Sequence, residues 1–383
     1  MSARIPKWSK ALTLLLGAVM LAACGPSASQ NQDPLISEAL RPLPEDLRAD
    51  ATVYRYNADT GEREILREGE NHVECEPRSD DGFTWCYPTS TAARRDLRAR
   101  LIAEGLPSEE VTERIAAAEV NGSVSPSPIG SMMYRTYDEG DRIQLLWVVV
   151  LPDQVASDLA MPTGSQRDPS LAGQGTPWMM REGTSGAHLM IPINGTELSN
   201  AGSIAPLFDA KTITDPVTQA TLPLPDDLKD VATVSTFEAS TGQRVVLQEG
   251  TSTVECRPHD PESGFTRCYH QDGWVSRDMN ARLLAEGYSE DDASAVVAKA
   301  IEDGAITSTP MGSLGYRLYG EDDRIRLLWV LRVPGATAAE LGMPTESQRD
   351  NALAGRGTPW MMNEGTSGAH LMIPINSTEL SNR

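Results

Sequence analysis

The stretch MPTGSQRDPSLAGQGTPWMMREGTSGAHLMIPINGTELSN, residues 161–200, recurs as MPTESQRDNALAGRGTPWMMNEGTSGAHLMIPINSTELSN at residues 343–382, with 34 of 40 positions identical. The similarity extends beyond this stretch to residues 33–198 and 215–380, so each copy spans 166 residues. That length is close to a whole domain and far longer than a solenoid repeat. The sequence therefore predicts two homologous domains in tandem, joined by a linker at 199–214.

Each copy changes from short β-rich runs to a helical pattern and back again. The β-rich runs of the first copy are ATVYRY, EREILREG, HVECEP, FTWCY, SMMYRTY, RIQLLWVVVLP, TPWMM and AHLMIPI. Between them, TAARRDLRARLIAEG and SEEVTERIAAAEV have helical spacing, with Gly105 as a stop and Ser108 as an N-cap. The pattern predicts an α+β fold, in which each domain is a largely antiparallel sheet with an αα-hairpin. The opening segment DPLISEALRPLPEDL contains several prolines, and we expect it to be extended.

The N-terminus has the features of a secretory signal peptide, predicted at residues 1–23. It contains three basic and no acidic residues, followed by a short apolar run at residues 11–23. The run ends in LAAC, which resembles the bacterial lipobox. The resemblance implies that Cys24 begins the mature lipoprotein and carries the lipid, including palmitate. Gly25 rather than Asp then favours the outer membrane, facing the periplasm or the surface, with residues 24–32 as a flexible tether.

The remaining four cysteines fall into one pair per copy, Cys75 with Cys86 and Cys256 with Cys268. An even set in an exported protein predicts disulfides. One residue has been inserted between the second pair, in the loop where a hairpin tip tolerates it. A metal site is the alternative, but the spacing lacks the close cysteine pairs of zinc sites.

The charge balance excludes some partners. The formal net charge is -21, and it becomes -24 without the signal peptide, from 30 basic and 54 acidic residues. An acidic surface repels phosphate backbones, so we expect no nucleic-acid partner. It also disfavours direct docking on anionic lipids, which leaves the N-terminal lipid as the membrane contact. The sequence indicates no cofactor.

Methionine, tryptophan and histidine recur in the last segment of each copy. Thioether and imidazole groups suit Cu(I), so this segment predicts a candidate soft-metal site. The candidate ligands are His188, Met190 and Met179 in the first copy and His370, Met372 and Met361 in the second. The alternative is an apolar hairpin in the core, where methionine fills gaps and histidine makes a satisfied hydrogen bond.

A hydrolytic site is a further alternative for the same segment. Its residues would be Ser185, His188 and Asp168, with Ser367, His370 and Asp350 at the equivalent positions. Nucleophilic catalysis needs a contact between serine and histidine and a third group that orients the base. Because Ser185 lacks the G-x-S-x-G elbow, the sequence gives this alternative little support.

Three segments resemble an uncharacterised family of exported bacterial proteins. They are the REG strand followed by the cysteine loop, the run RIQLLWVVVLP, and GTPWMMxxGTxxAHLMIP. The resemblance implies a domain family, here duplicated and joined to a lipoprotein signal, and it carries no assigned activity.

Taken together, these patterns predict an envelope lipoprotein whose domains bind an envelope protein or support the envelope. The alternative is a periplasmic protein that binds copper or another small ligand. The chain has five histidines, and only His188 and His370 occupy equivalent positions. Enzymes usually concentrate histidines, acids and nucleophiles, so the sequence favours a non-enzymatic module.

Overall fold

Each half of the chain folds into one eight-stranded sheet with helices beside it. The computed structural model describes residues 33–80, 82–137, 145–165, 176–194, 210–261, 263–319, 327–347 and 358–375. The first sheet contains β1 (Thr52–Tyr56), β2 (Arg63–Arg67), β3 (Val73–Glu76), β4 (Thr84–Pro88), β5 (Met132–Thr136), β6 (Leu145–Val150), β7 (Trp178–Met180) and β8 (His188–Asn194). The second contains β9 (Thr233–Phe237), β10 (Arg244–Gln248), β11 (Val254–Asp260), β12 (Phe265–His270), β13 (Leu314–Leu318), β14 (Leu327–Arg332), β15 (Trp360–Met362) and β16 (His370–Pro374). The predicted signal peptide, Cys24 and tether lie outside the described residues.

The two sheets have the same topology. The strand order is β2-β1-β3-β4-β5-β6-β8-β7 in the first sheet and β10-β9-β11-β12-β13-β14-β16-β15 in the second. Only β1 with β3, and β9 with β11, pair in parallel among the strands described. The predicted α+β fold with two similar domains and largely antiparallel sheets is therefore confirmed.

The predicted hairpins form, and one in each sheet contains a disulfide. In β3 and β4, Cys75 lies directly opposite Cys86, and in β11 and β12 Cys256 lies opposite Cys268. Both pairs are bonded, across 11 and 12 residues of sequence. Disulfides of this kind persist in oxidising compartments, which indicates a location outside the cytoplasm.

The helices complete each domain. They are α1 (Pro34–Ala39), α2 (Glu45–Arg48), α3 (Ala92–Ala103), α4 (Ser108–Val120), α5 (Pro216–Thr221), α6 (Asp226–Lys229), α7 (Trp274–Ala285), α8 (Glu290–Glu302) and α9 (Ala338–Leu341). The predicted αα-hairpin is α3 with α4, and α7 with α8. Gly105 and Gly287 follow α3 and α7 with positive φ, a conformation that suits glycine. Ser289 caps α8 through the Asp292 amide, whereas α4 begins at Ser108 itself, after Pro107.

The expectation of an extended opening segment is wrong. Residues 34–39 and 45–48 are helical, since a proline is tolerated at or before the first helical position. Ala39, Leu43 and Leu47 are buried there. Burial of these apolar side chains favours the helices, which proline content alone does not predict.

One apolar cluster joins the two domains. It contains the buried cysteines of both disulfides and matching large side chains from both sheets, among them Trp147 and Trp329. The chain from Pro34 onward accordingly forms one compact unit.

Contacts between the domains occur in equivalent pairs. Thr176 donates a hydrogen bond to Asp227, and Thr358 donates one to Asp46, the equivalent of Asp227. Gly130 similarly lies against Leu341 of the second domain. Exchange of equivalent partners in this way is the property of a two-fold interface between two copies of one fold.

No helix within the described ranges is both long and apolar enough to cross a bilayer.

The disulfides should each stabilise the fold. Replacing Cys75 and Cys86 together with alanine should lower the free energy of unfolding by roughly 2–3 kcal/mol. The unfolded chain gains conformational freedom when the bond between these two cysteines, 11 residues apart in sequence, is removed. Urea denaturation followed by tryptophan fluorescence measures the change, and peptide mapping of the wild type should recover each bond within its own domain. Bonds that join the two domains, or an unchanged unfolding midpoint in the double variant, would contradict this assignment.

Candidate functional site

Alternation along the strands gives each sheet two different faces. The inner face of the first sheet includes Cys75, Trp147 and Met179, which belong to the shared core. The outer face includes Val148 and Trp178, which form a separate cluster. Since successive residues of a strand point to opposite faces, a shift of one residue in register would exchange them.

This register separates the candidate metal ligands. Trp178 lies opposite Met190, Met179 opposite Leu189, and Met180 opposite His188. Met179 is therefore on the inner face, away from His188 and Met190 on the outer face. The second domain repeats the arrangement, with Met361 opposite Leu371, Trp360 opposite Met372, and Met362 opposite His370. The predicted three-ligand grouping is wrong in both domains, because Met179 and Met361 pack in the shared core.

The remaining candidates are occupied in other ways. Met190 and Met372 are almost fully buried in the apolar clusters of the outer faces. His188 Nδ1 lies 2.8 Å from the Gly186 carbonyl oxygen, and His370 Nδ1 lies 2.8 Å from that of Gly368. Within the described ranges, no three His, Cys, Asp or Glu side chains converge as metal ligands.

The hydrolytic alternative receives no support from the contacts. Ser185 is exposed in the turn before β8, and among the described contacts no hydrogen bond joins it to His188. Asp168 and Asp350 lie outside the described residues. The carbonyl oxygen of Ser367 accepts a hydrogen bond from Arg332.

A charged layer separates α3 from the outer face of the first sheet. Arg95 on α3 contacts Glu74, lies 3.7 Å from Glu76, and contacts the Tyr54 hydroxyl. Arg63 contacts Glu74 as well, and its Nη2 lies 2.7 Å from the Asp96 carboxylate. Two arginines thus meet three carboxylates, so the buried guanidinium of Arg95 is compensated.

The equivalent layer under α7 has the opposite balance. Arg257 occupies the position of Glu76, so that three arginines now accompany the two carboxylates Glu255 and Asp278. Glu255 is engaged by Arg244, at 3.0 Å, and by the Ser235 hydroxyl. Arg257 lies 3.6 Å over the Phe237 ring, and its buried Nε and Nη2 make no hydrogen bond.

Arg277 is the equivalent of Arg95, but its surroundings differ. Its guanidinium lies 3.4 Å over the Tyr269 ring, and it forms no ion pair with a carboxylate of the described residues. Its Nη1 is buried without a hydrogen-bond partner. Burial lowers the pKa of Arg277 to about 10, which leaves the side chain charged at neutral pH.

A cavity of about 110 Å³ adjoins Arg277 on the outer face of the second sheet. Its cationic side chains are those of Arg277, Arg317 and Arg332, and His370 also lines it. No acidic residue is found among the described residues that line it. Burial lowers the pKa of His370, so its ring is neutral at pH 7.

The first domain fills the equivalent space. Met133 stands where the second domain has Gly315, and it packs against the outer apolar cluster. Val150 replaces Arg332, and Pro88 replaces His270. Arg135, the equivalent of Arg317, lies 3.9 Å over the Trp85 ring, whereas Arg317 lies 5.6 Å from the centre of the Phe265 ring. The cavity lining is therefore a property of the second domain.

The sequence interpretation overlooked this site. Only His370 of its lining was a candidate, and it was assigned to a metal. The available signal was the difference between the copies, since Met133 to Gly315 and Val150 to Arg332 are large changes inside otherwise similar strands.

Comparison with known proteins identifies no relative: no protein family, no curated protein and no solved structure matches the chain. The two domains are consequently the informative comparison for each other. Their shared positions define the fold, and the differences that open the cavity lie on the outer face.

Proposed function

We propose that the chain is an outer-membrane lipoprotein of the bacterial envelope, with a non-enzymatic folded body that binds a small ligand. The lipid on Cys24 would be its membrane contact. The signal-like N-terminus and the two disulfides support export. We also propose membership in the exported family that the repeated segments resemble.

The observation that carries the binding role is the cavity beside Gly315. A glycine inside a strand often marks the close approach of a ligand or of another backbone segment. A Cβ added at Gly315 would lie 3.3 Å from the Cys268 carbonyl oxygen and 3.8 Å from Val330 Cβ. The methionine at the equivalent position of the first domain occupies the corresponding space.

Of the functions considered from sequence, this observation favours small-ligand binding over a purely structural role. Copper binding loses support, because Met179 and Met361 lie on the inner face. An envelope protein partner is compatible with the tethered body.

Replacing Cys24 with alanine should prevent lipidation and release the protein from the membrane fraction. Metabolic labelling with palmitate and density fractionation of membranes measure both effects. The wild type should be labelled and sediment with the outer membrane, and the control Ser29→Ala in the tether should behave identically. Gly25→Asp should move the protein to the inner membrane. If the Cys24→Ala variant is still labelled with palmitate and still sediments with the membranes, the lipoprotein proposal is wrong.

Replacing Gly315 with methionine should fill the cavity and expel its ligand, as Met133 fills the first domain. Native mass spectrometry of the mature lipoprotein, released from membranes in mild detergent, should show a retained small molecule in the wild type only. Gly164→Met is the matched control, because a Cβ at Gly164 meets nothing within 4 Å. If Gly315→Met retains the same molecule as the wild type, the binding role is wrong.

A further inference from the structure

We propose that the cavity of the second domain binds a small oxyanion, that is, a phosphate, sulfate or carboxylate group. This inference rests on the binding role proposed for the same cavity and names the chemistry of its ligand.

The lining is cationic in a protein that is otherwise acidic. Arg277 reaches the cavity from α7, Arg317 from β13 and Arg332 from β14, so three separate elements supply guanidinium groups. Guanidinium donors match the oxygens of carboxylate and phosphate groups in pairs. Convergence of three of them on one space favours an anion as the occupant.

These arginines retain donors for a ligand. Arg277 Nη1 and Arg332 Nε are buried and make no hydrogen bond. Arg332 Nη2 donates to the Ser367 carbonyl oxygen at 2.9 Å, which holds the side chain in place. A buried charged donor without a partner is unfavourable, and an oxyanion would satisfy it.

The nearby carboxylates do not supply that partner. Arg244 and Ser235 both contact Oε1 of Glu255, and Oε2 is buried without a hydrogen bond, so neither oxygen bonds Arg277. Asp278 lies on α7 beside the same layer, and Asp272 faces His270, with 3.7 Å between Oδ2 and Nδ1. None of the three lines the cavity.

The size of the cavity limits the ligand. About 110 Å³ is well below the roughly 300–1,000 Å³ of drug-sized pockets. It suits a group of about five non-hydrogen atoms, such as an inorganic oxyanion or the anionic end of a larger molecule.

Isothermal titration of the mature, detergent-solubilised lipoprotein with sodium phosphate, sodium sulfate and sodium acetate tests the inference. Sodium chloride at matched ionic strength serves as the blank. At least one of the three oxyanions should bind saturably, at one site per chain, and the tightest one identifies the class. Arg332→Val introduces the residue found in the first domain, and it should weaken binding about tenfold or more through loss of charge-assisted hydrogen bonds.

Lys299→Gln provides the control for charge, because it removes one cation from the exposed surface of α8 in the same domain. Its affinity should equal that of the wild type. Circular dichroism and disulfide mapping establish that Arg332→Val is folded. Absence of saturable binding, two sites per chain, or equal affinity of Arg332→Val and wild type would overturn the inference.

The two proposals fail in distinguishable ways. If native mass spectrometry finds a neutral molecule that Gly315→Met expels, the binding role stands and the oxyanion inference is wrong. If Gly315→Met expels nothing, the binding role itself is wrong.

Discussion

The apolar core shared by the two sheets is the constraint on which the rest of the structure depends. Trp147 and Trp329, at equivalent positions, are both almost fully buried in it. Each domain presents its inner face to that core, and the polar contacts between domains exchange equivalent partners, as Thr176 with Asp227 and Thr358 with Asp46. Burial of this surface removes a large apolar area from water, which is the principal favourable contribution to folding. A substitution on an inner face therefore affects both domains.

The outer faces carry no such joint constraint, and there the domains differ. In the first, Arg95 is compensated by Glu74 and Glu76, and Met133 fills the sheet surface. In the second, Arg257 replaces a carboxylate, and Gly315 leaves room beside Arg277. Buried guanidinium groups without partners reduce the stability of the fold. Locally unfavourable features of this kind are expected at functional sites. On the proposed function, the first domain would be a structural support and the second would be the binding domain.

Sequence reasoning predicted the parts of the fold that depend on local pattern. The duplication, the hairpins, the αα-hairpin and both disulfides follow from self-similarity, strand periodicity and cysteine spacing. Two features depend on tertiary contacts and were missed. Residues 34–39 and 45–48 are helical because Ala39 and Leu47 are buried. The register of β7 with β8 puts Met179 opposite Leu189 rather than on the face of His188. The cavity could not be predicted because it depends on Arg277 and Arg332 lying close together in space, and these residues are far apart in sequence.

Amide hydrogen exchange of Gly312→Ala tests the shared core most directly. A Cβ at Gly312 would lie 2.9 Å from Leu159 Cδ1 of the first domain, whereas at Gly335, which also has positive φ, nothing lies within 4 Å. Both variants incur the backbone strain of a positive φ. Only Gly312→Ala also crowds the interface, and this crowding should lower the free energy of unfolding by about 1–3 kcal/mol. Relative to Gly335→Ala, Gly312→Ala should lower amide protection equally in β5–β6 and β13–β14. Loss of protection confined to β13–β14, with β5–β6 unchanged, would contradict it.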